Sequence, residues 1–446
     1  MIKMKGFNEL GLEEGFLSAV NKQGFETPTT IQEKSIPSIM EGEDLIGISA
    51  TGSGKTLAYS TGIIAKCESK NGIQSLVLAP TRELAKQVQV EIKKYASEKK
   101  LKTVVVYGGV SIQAQIHQLQ SAEIVIGTPG RILDHMQRGT LDLSDVRILV
   151  LDEADIMIDM GFVEDVEKII SQCPTDRQTL MFSATMPSQL LSIAKHYMRN
   201  PKEVSAESYV DPKKLEQIYY DVPHPLKVSL LVHLLKTEKG GLVLVFCNSR
   251  RTVDYVEASL KTNGIRADGI HGGLSQSRRE SIMSNFKSKE VYVLVCTDVA
   301  ARGLDIPGVS HVYNYDIPND SKQYVHRIGR TARAGKDGKA VSILSDRDHE
   351  NFDRVLRDND VKIHHTEMPY VEKAQRPKTA PASSGKRTFG RGEGNRGGSG
   401  FSGQRGRRPS GRSNGSSDNR NRSQGARPNR RGPQSGQRRN HTHQND

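Results

Sequence analysis

The chain has 446 residues, with 64 lysines and arginines against 51 aspartates and glutamates, for a formal net charge of +13. Eighteen of those cations and only four of the acids lie between Val371 and Asp446, so that segment carries about +14 and the rest of the chain is close to neutral. Cys67, Cys173, Cys247 and Cys296 form no C-x-x-C pair, no window approaches about 18 apolar residues, and the first lysines precede no apolar run, so we expect no zinc ribbon, redox motif, membrane span or signal peptide. We expect a cytoplasmic protein with no membrane contact.

Leu10, Leu12, Phe16, Leu17 and Val20 recur near a helical period, Phe25-Glu26-Thr27-Pro28-Thr29 breaks it, and Ile31 to Met40 predicts a second helix. Short apolar runs then alternate with helical stretches. This is the pattern of an α/β fold in which a parallel sheet is covered by helices on both faces. The predicted strands of the first half are Leu45–Ile48, Ser75–Ala79, Thr103–Tyr107, Ile124–Ile126, Ile148–Leu151 and Thr179–Phe182. The pattern weakens over the polar stretch Pro201–Pro212, which reads as the connection between domains. It restarts with predicted strands Leu242–Cys247, Val291–Cys296, His311–Tyr315 and Ala340–Leu344. The expected division is a domain over 1–205, a linker over 206–214, a second domain over 215–371 and a tail over 372–446. Two α/β domains of similar size would face one another across a cleft.

Past about Gln375, Gly, Ser, Arg, Asn and Gln replace the apolar residues, a composition that builds no core and predicts disorder. Phe389-Gly390-Arg391-Gly392, Arg396-Gly397-Gly398 and Phe401 resemble RGG-type RNA-binding segments, with arginines for phosphates and stacking and glycines for adaptability.

Two stretches carry the chemistry. Ser49-Ala50-Thr51-Gly52-Ser53-Gly54-Lys55-Thr56 lies between a predicted strand and a predicted helix, where backbone N–H groups and the positive end of the helix dipole converge on an anion. Lys55 would reach the β- and γ-phosphates of a nucleotide, and Thr56 would ligate Mg²⁺. Ser49 stands where the strict G-x-x-x-x-G-K-[ST] pattern has its first glycine. Asp152-Glu153-Ala154-Asp155 directly follows the strand Ile148–Leu151, at the carboxyl edge of the sheet where ligands bind. Asp152 is assigned to the metal and Glu153 to the attacking water.

With these motifs in order, the chain resembles the DEAD-box ATP-dependent RNA helicases, in particular bacterial members with a basic tail. The resemblance runs from about Phe7 to Asp348. It includes Gly24-Phe25-Glu26-Thr27-Pro28-Thr29-Thr30-Ile31-Gln32, Pro80-Thr81-Arg82-Glu83-Leu84-Ala85, Gly108-Gly109, Thr128-Pro129-Gly130-Arg131, Ser183-Ala184-Thr185, Val245-Phe246-Cys247-Asn248-Ser249, Gln276-Ser277-Arg278-Arg279, Thr297-Asp298-Val299-Ala300-Ala301-Arg302-Gly303-Leu304-Asp305 and His326-Arg327-Ile328-Gly329-Arg330-Thr331-Ala332-Arg333. It implies two RecA-like domains in tandem, with ATP and Mg²⁺ as cofactors. Gln32 and Phe25 would recognise adenine, with Thr27 a further nucleotide-binding position. Asp305 would accept hydrogen bonds from the ribose, with Gly303 a further nucleotide-binding position, and His326 would link the second domain to the acidic box. Arg330 and Arg333, three apart on one helical face, would reach the γ-phosphate from across the cleft. Pro80, Thr81, Arg82, Gly109, Thr128, Pro129, Gly130 and Arg131, with Ser249, Gln276, Arg279 and Thr297, match positions that hold a single-stranded RNA backbone without reading bases. Ala332 replaces a glycine common in the family, and Ile156 an arginine.

The implied activity is ATP hydrolysis coupled to local opening of short RNA duplexes or remodelling of ribonucleoprotein. The alternatives are an RNA chaperone or clamp whose ATPase times release, and a DNA helicase on the same two domains. Ribosome assembly, RNA decay and growth in the cold are all compatible settings.

Overall fold

The computed structural model describes residues 6–50, 52–206, 214–238, 240–301, 306, 308–332, 337–358 and 363–377. The tail beyond 377 and most of the expected linker lie outside them. Two N-terminal helices, α1 (Glu14–Lys22) and α2 (Thr30–Glu41), precede an alternating series. In the first half it runs β1 (Leu45–Ile48), α3 (Lys55–Lys66), β2 (Ser75–Leu78), α4 (Arg82–Ala96), β3 (Thr103–Val106), α5 (Ile112–Leu119), β4 (Ile124–Gly127), α6 (Pro129–Gln137), β5 (Ile148–Leu151), α7 (Ala154–Asp159), α8 (Val163–Ile170), β6 (Gln178–Ser183), α9 (Ser188–Tyr197) and β7 (Lys202–Ser205). The second half runs β8 (Leu215–Asp221), α10 (Lys227–Thr237), β9 (Leu242–Phe246), α11 (Arg250–Thr262), β10 (Ala267–Ile270), α12 (Gln276–Lys287), β11 (Val293–Cys296), α13 (Asp298–Ala301), β12 (Val309–Asn314), α14 (Ser321–Ile328), β13 (Gly338–Leu344), α15 (His349–Asp358) and β14 (His364–His365).

The strands form two seven-stranded parallel sheets, ordered β3-β4-β2-β5-β6-β1-β7 and β10-β11-β9-β12-β13-β8-β14. Strand for strand, the two orders are the same. Successive residues of a strand enter opposite cores: Leu45 packs in one layer and Ile46 in the other, and Val77 faces away from Leu76 and Leu78. Burial on both faces explains why these strands read as continuous apolar runs. With every strand parallel, the loops leaving the carboxyl ends of all strands gather along one edge of each sheet, and that edge carries the motifs.

Several features depart from the sequence reading, which also did not predict the strands β8 and β14 of the second sheet. Lys202–Ser205, read as connection, is the edge strand β7 paired with β1, and Val204 is its one buried residue. An edge strand with three exposed residues carries almost no periodic signal. The Ala267–Ile270 strand was not predicted because Asp268 and Gly269 interrupt it; Asp268 is buried and accepts from Lys261 at 3.0 Å. Residues from 371 onward also contact the core around the second sheet. Val371 and Ala374 pack on its core, Ala374 N donates to Ser229 Oγ, and Gln375 N donates to Asn263 Oδ1, both at 3.0 Å. Among the described residues no helix is long and apolar enough to cross a membrane.

Candidate functional site

The chain leaves β1 through Ser49 and enters α3 at Lys55. It turns through left-handed backbone at Gly52 and Gly54, with φ of 82° and 94°. At Gly54 a Cβ would stand 2.4 Å from Gln32 Nε2, so only glycine fits. Ser49 ties its hydroxyl to Ser53 Oγ at 2.9 Å, and the buried Lys55 donates to Ser49 O at 3.2 Å. Gln32 supports the same loop: its Nε2 donates to Gly54 O at 3.0 Å, and its Oε1 accepts from Thr29 N at 2.8 Å. Thr29 Oγ1 donates to Ser53 O at 2.8 Å. Each end of the Gln32 amide retains one further hydrogen-bonding position. Phe25 is exposed by 43%, presenting an open aromatic face, and Thr27 is also exposed. Ala50 is half-buried within the loop. Thr51, Gly303 and Asp305 lie outside the described residues.

Asp152 and Glu153 leave β5 fully enclosed, and Glu153 adopts φ 50° to start α7. Asp152 Oδ2 accepts from the Tyr59 hydroxyl at 2.9 Å, while Asp152 Oδ1 is buried with no hydrogen-bond partner. Burial pushes the Asp152 carboxyl up to about 6 although the Lys55 ammonium opposes the shift; the neighbouring Glu153 adds to it. An orphaned carboxylate oxygen beside a phosphate loop and a threonine hydroxyl is a hard-oxygen donor set that fits Mg²⁺, an ion that takes few protein ligands and keeps waters and phosphates. Among the described residues no group of three or more His, Cys, Asp and Glu could enclose a metal by itself.

Asp155, which the sequence reading left without a role, joins several parts. Its Oδ2 accepts from Thr185 N at 2.9 Å and Thr185 Oγ1 at 3.0 Å, its backbone N donates to Ser183 Oγ at 3.2 Å, and His326 Nε2 of the second domain lies 3.9 Å away. Its place as the fourth letter of the acidic box was the available signal.

His326 and Arg330 are positioned by Arg327, another residue that the sequence reading passed over. Arg327 is 1% exposed and donates to both Asp298 oxygens at 2.7 Å, to Asn248 Oδ1 at 2.7 Å and to Asp316 O at 2.6 Å. This fixes α14 against the ends of β9, β11 and β12. α14 stops at Ile328 with Gly329 as its C-cap, so Arg330 lies just beyond the helix. Arg330 is buried with its Nε 3.4 Å from His326 O, and Ala332 holds the left-handed φ of 55° for which glycine is the usual choice. Arg333 lies outside the described residues.

The residues matched to RNA positions sit largely at helix starts. Thr81 caps α4 by accepting from Leu84 N at 3.2 Å, directly after Pro80, and Arg82 is the first residue of that helix. Thr128 precedes Pro129, Gly130 and Arg131 in the first turn of α6. Ser249 caps α11, Gln276 opens α12, and Thr297 follows β11. Gly109 has φ 82° and lies against the Arg82 guanidinium, which a Cβ would meet at 2.2 Å. Across the cleft the two sets join. Arg279 Nε donates to Glu83 Oε1 at 2.7 Å, Arg82 donates to Gln276 Oε1 at 3.3 Å, and Lys86 pairs with Glu280. Glu83, quoted within a motif but given no role, is the acid of the most buried of these contacts.

A phosphate loop on one sheet, acids beside it, and a second sheet of the same topology bringing His326 against the acidic box define a two-domain nucleotide-dependent motor. Residues 29–193 match the DEAD/DEAH box helicase family and residues 226–335 the helicase conserved C-terminal domain. The chain is 47% identical over 348 residues to the ATP-dependent RNA helicase CshA of Listeria monocytogenes, covering 77% of this chain and 67% of that one. It is 44% identical over 375 residues to the DEAD-box ATP-dependent RNA helicase CshA of Geobacillus kaustophilus, covering 83% and 80%. The structure of S. cerevisiae Dbp5 bound to RNA and ADP BeF3 superposes with a TM-score of 0.75 at 30% identity, covering 82% of this chain and 96% of that one. The chain belongs to the DEAD-box ATP-dependent RNA helicases, enzymes that couple ATP hydrolysis to work on RNA. This favours neither the DNA-helicase nor the clamp alternative.

Proposed function

We propose that this helicase acts in the cytoplasm by closing its two domains around ATP, Mg²⁺ and one RNA strand, so that a short duplex opens locally and hydrolysis resets the cleft. Lys55 and the N–H groups of the loop hold the phosphates, Gln32 and Phe25 take the adenine, and Thr56 and Asp152 hold Mg²⁺. The metal, when bound, neutralises charge developing on the β- and γ-phosphate oxygens. Glu153 orients the attacking water and accepts its proton, and Arg330 neutralises the γ-phosphate from the second domain. Asp155 carries the state of the acidic box to Ser183 and Thr185 on one side and to His326 on the other. The helix starts of α4, α6, α11 and α12 hold backbone phosphates on both sides of the cleft, which gives binding without base identity. The tail beyond Pro377, rich in arginine and glycine, anchors the enzyme on RNA and raises its local concentration there.

The observation that supports this reading most directly is the 3.9 Å approach of His326 Nε2 to Asp155 Oδ2, which makes the site depend on both domains. Glu153→Gln tests it. Nucleotide and RNA binding should persist while RNA-stimulated turnover falls by about a hundredfold or more, the scale of losing a positioned base. Unchanged turnover would overturn the assignment.

A further inference from the structure

Tyr59 stands in α3 one turn after Thr56 and is completely buried, its ring 5.6 Å from that of Phe182. Its hydroxyl lies 2.9 Å from Asp152 Oδ2 and 3.4 Å from Thr56 Oγ1, so one atom touches both side chains assigned to the metal. A phenol has a single proton to give. The buried carboxylate is the nearer and more strongly accepting partner, so the proton goes chiefly to Asp152 Oδ2, with Thr56 Oγ1 the more distant acceptor.

We infer that Tyr59 is a positioning residue for the divalent cation of the ATP site, an inference that rests on the Mg²⁺ reading given above. The hydrogen bond to Oδ2 turns Asp152 so that Oδ1, the oxygen with no hydrogen-bond partner, is the one left for the metal's coordination sphere. The same hydroxyl lies 3.4 Å from Thr56 Oγ1 and so holds the threonine side chain beside Asp152. Orientation of ligands by such outer partners is worth tenfold or more in metal affinity. Phenylalanine at this position would keep the ring packing and lose only the two polar contacts.

The test is the Mg²⁺ dependence of nucleotide binding in the full-length protein, read as the fluorescence of a labelled ADP titrated with MgCl₂, alongside binding of the same nucleotide in EDTA. Tyr59→Phe should shift the Mg²⁺ midpoint upward by about tenfold and leave metal-free binding unchanged. Asp152→Asn serves as the control for the underlying reading and should shift the midpoint at least as far. If Asp152→Asn shifts the midpoint and Tyr59→Phe does not, the role of Tyr59 is overturned and the metal site stands. If neither shifts it, the metal assignment fails and the role of Tyr59 with it. Equal weakening of binding with and without Mg²⁺ in Tyr59→Phe marks a packing role only and also overturns the inference.

Discussion

Removing Glu83 should weaken RNA-driven closure without weakening either domain. Glu83 on α4 and Arg279 on α12 meet across the cleft at 2.7 Å, with side chains 13% and 10% exposed. Breaking a buried pair by deleting one partner costs about 3 kcal/mol or more, because the other charge stays out of water. That cost falls on the closed arrangement alone, since opening the cleft returns Arg279 to solvent. About 3 kcal/mol corresponds to roughly a hundredfold change in an equilibrium. In Glu83→Ala the apparent affinity for RNA in the presence of ATP should therefore fall by about that factor. Interdomain energy transfer between dyes on the two domains, titrated with RNA at saturating ATP, gives the measurement, and the thermal midpoint should stay at the wild-type value. The sign makes the test sharp, because taking an acid away from a phosphate-binding surface should by simple electrostatics tighten RNA binding. Tighter or unchanged ATP-dependent RNA binding in Glu83→Ala would refute the reasoning.

Other outcomes follow from single contacts. Gly54→Ala forces a residue with a Cβ into φ 94° and against Gln32, a strain of about 1–2 kcal/mol before the clash is counted, and equilibrium dialysis should show ATP affinity lost while the fold survives. Gln32→Ala removes the amide bond to Gly54 O as well as the proposed adenine contact, so affinity should fall for GTP as well as ATP; a loss confined to ATP would show that the loop does not need this support. In the second domain, burial pushes the Asp348 carboxyl up, but the Lys227 ammonium at 2.8 Å and hydrogen bonds from Ser345 outweigh it and hold the group below its ordinary value. A depressed carboxylate stabilises the fold in full above the unfolded value near about 4 and loses that contribution as pH falls through the folded value. Thermal unfolding between pH 7 and pH 3 should therefore show Asp348→Asn less stable than wild type at neutral pH, with the difference shrinking below about pH 4. Truncation after Pro377 removes most of the excess positive charge, so RNA affinity should drop and its salt dependence flatten, while duplex opening at saturating RNA persists.

The sequence by itself determined the class of the fold and the identity of the chemical parts. Strands buried on both faces leave continuous apolar runs, and a phosphate loop or an acidic box needs particular residue types in contiguous order, so Lys55, Thr56, Asp152 and Glu153 stood out from their neighbours alone. Signals vanished where a strand lies at an edge, as in Lys202–Ser205, or carries a paired acid, as in Ala267–Ile270, because neither leaves a hydrophobic period. Only the tertiary structure decided the pairings. Tyr59 reads in the chain as one more apolar residue of a helix, and Arg327 as one more cation among several. Folding sets the first between Thr56 and Asp152 and buries the second against Asp298 and Asn248. Glu83 and Arg279 are 196 positions apart. No local pattern couples residues at that distance; what couples them is the contact of α4 with α12 across the cleft between the two domains.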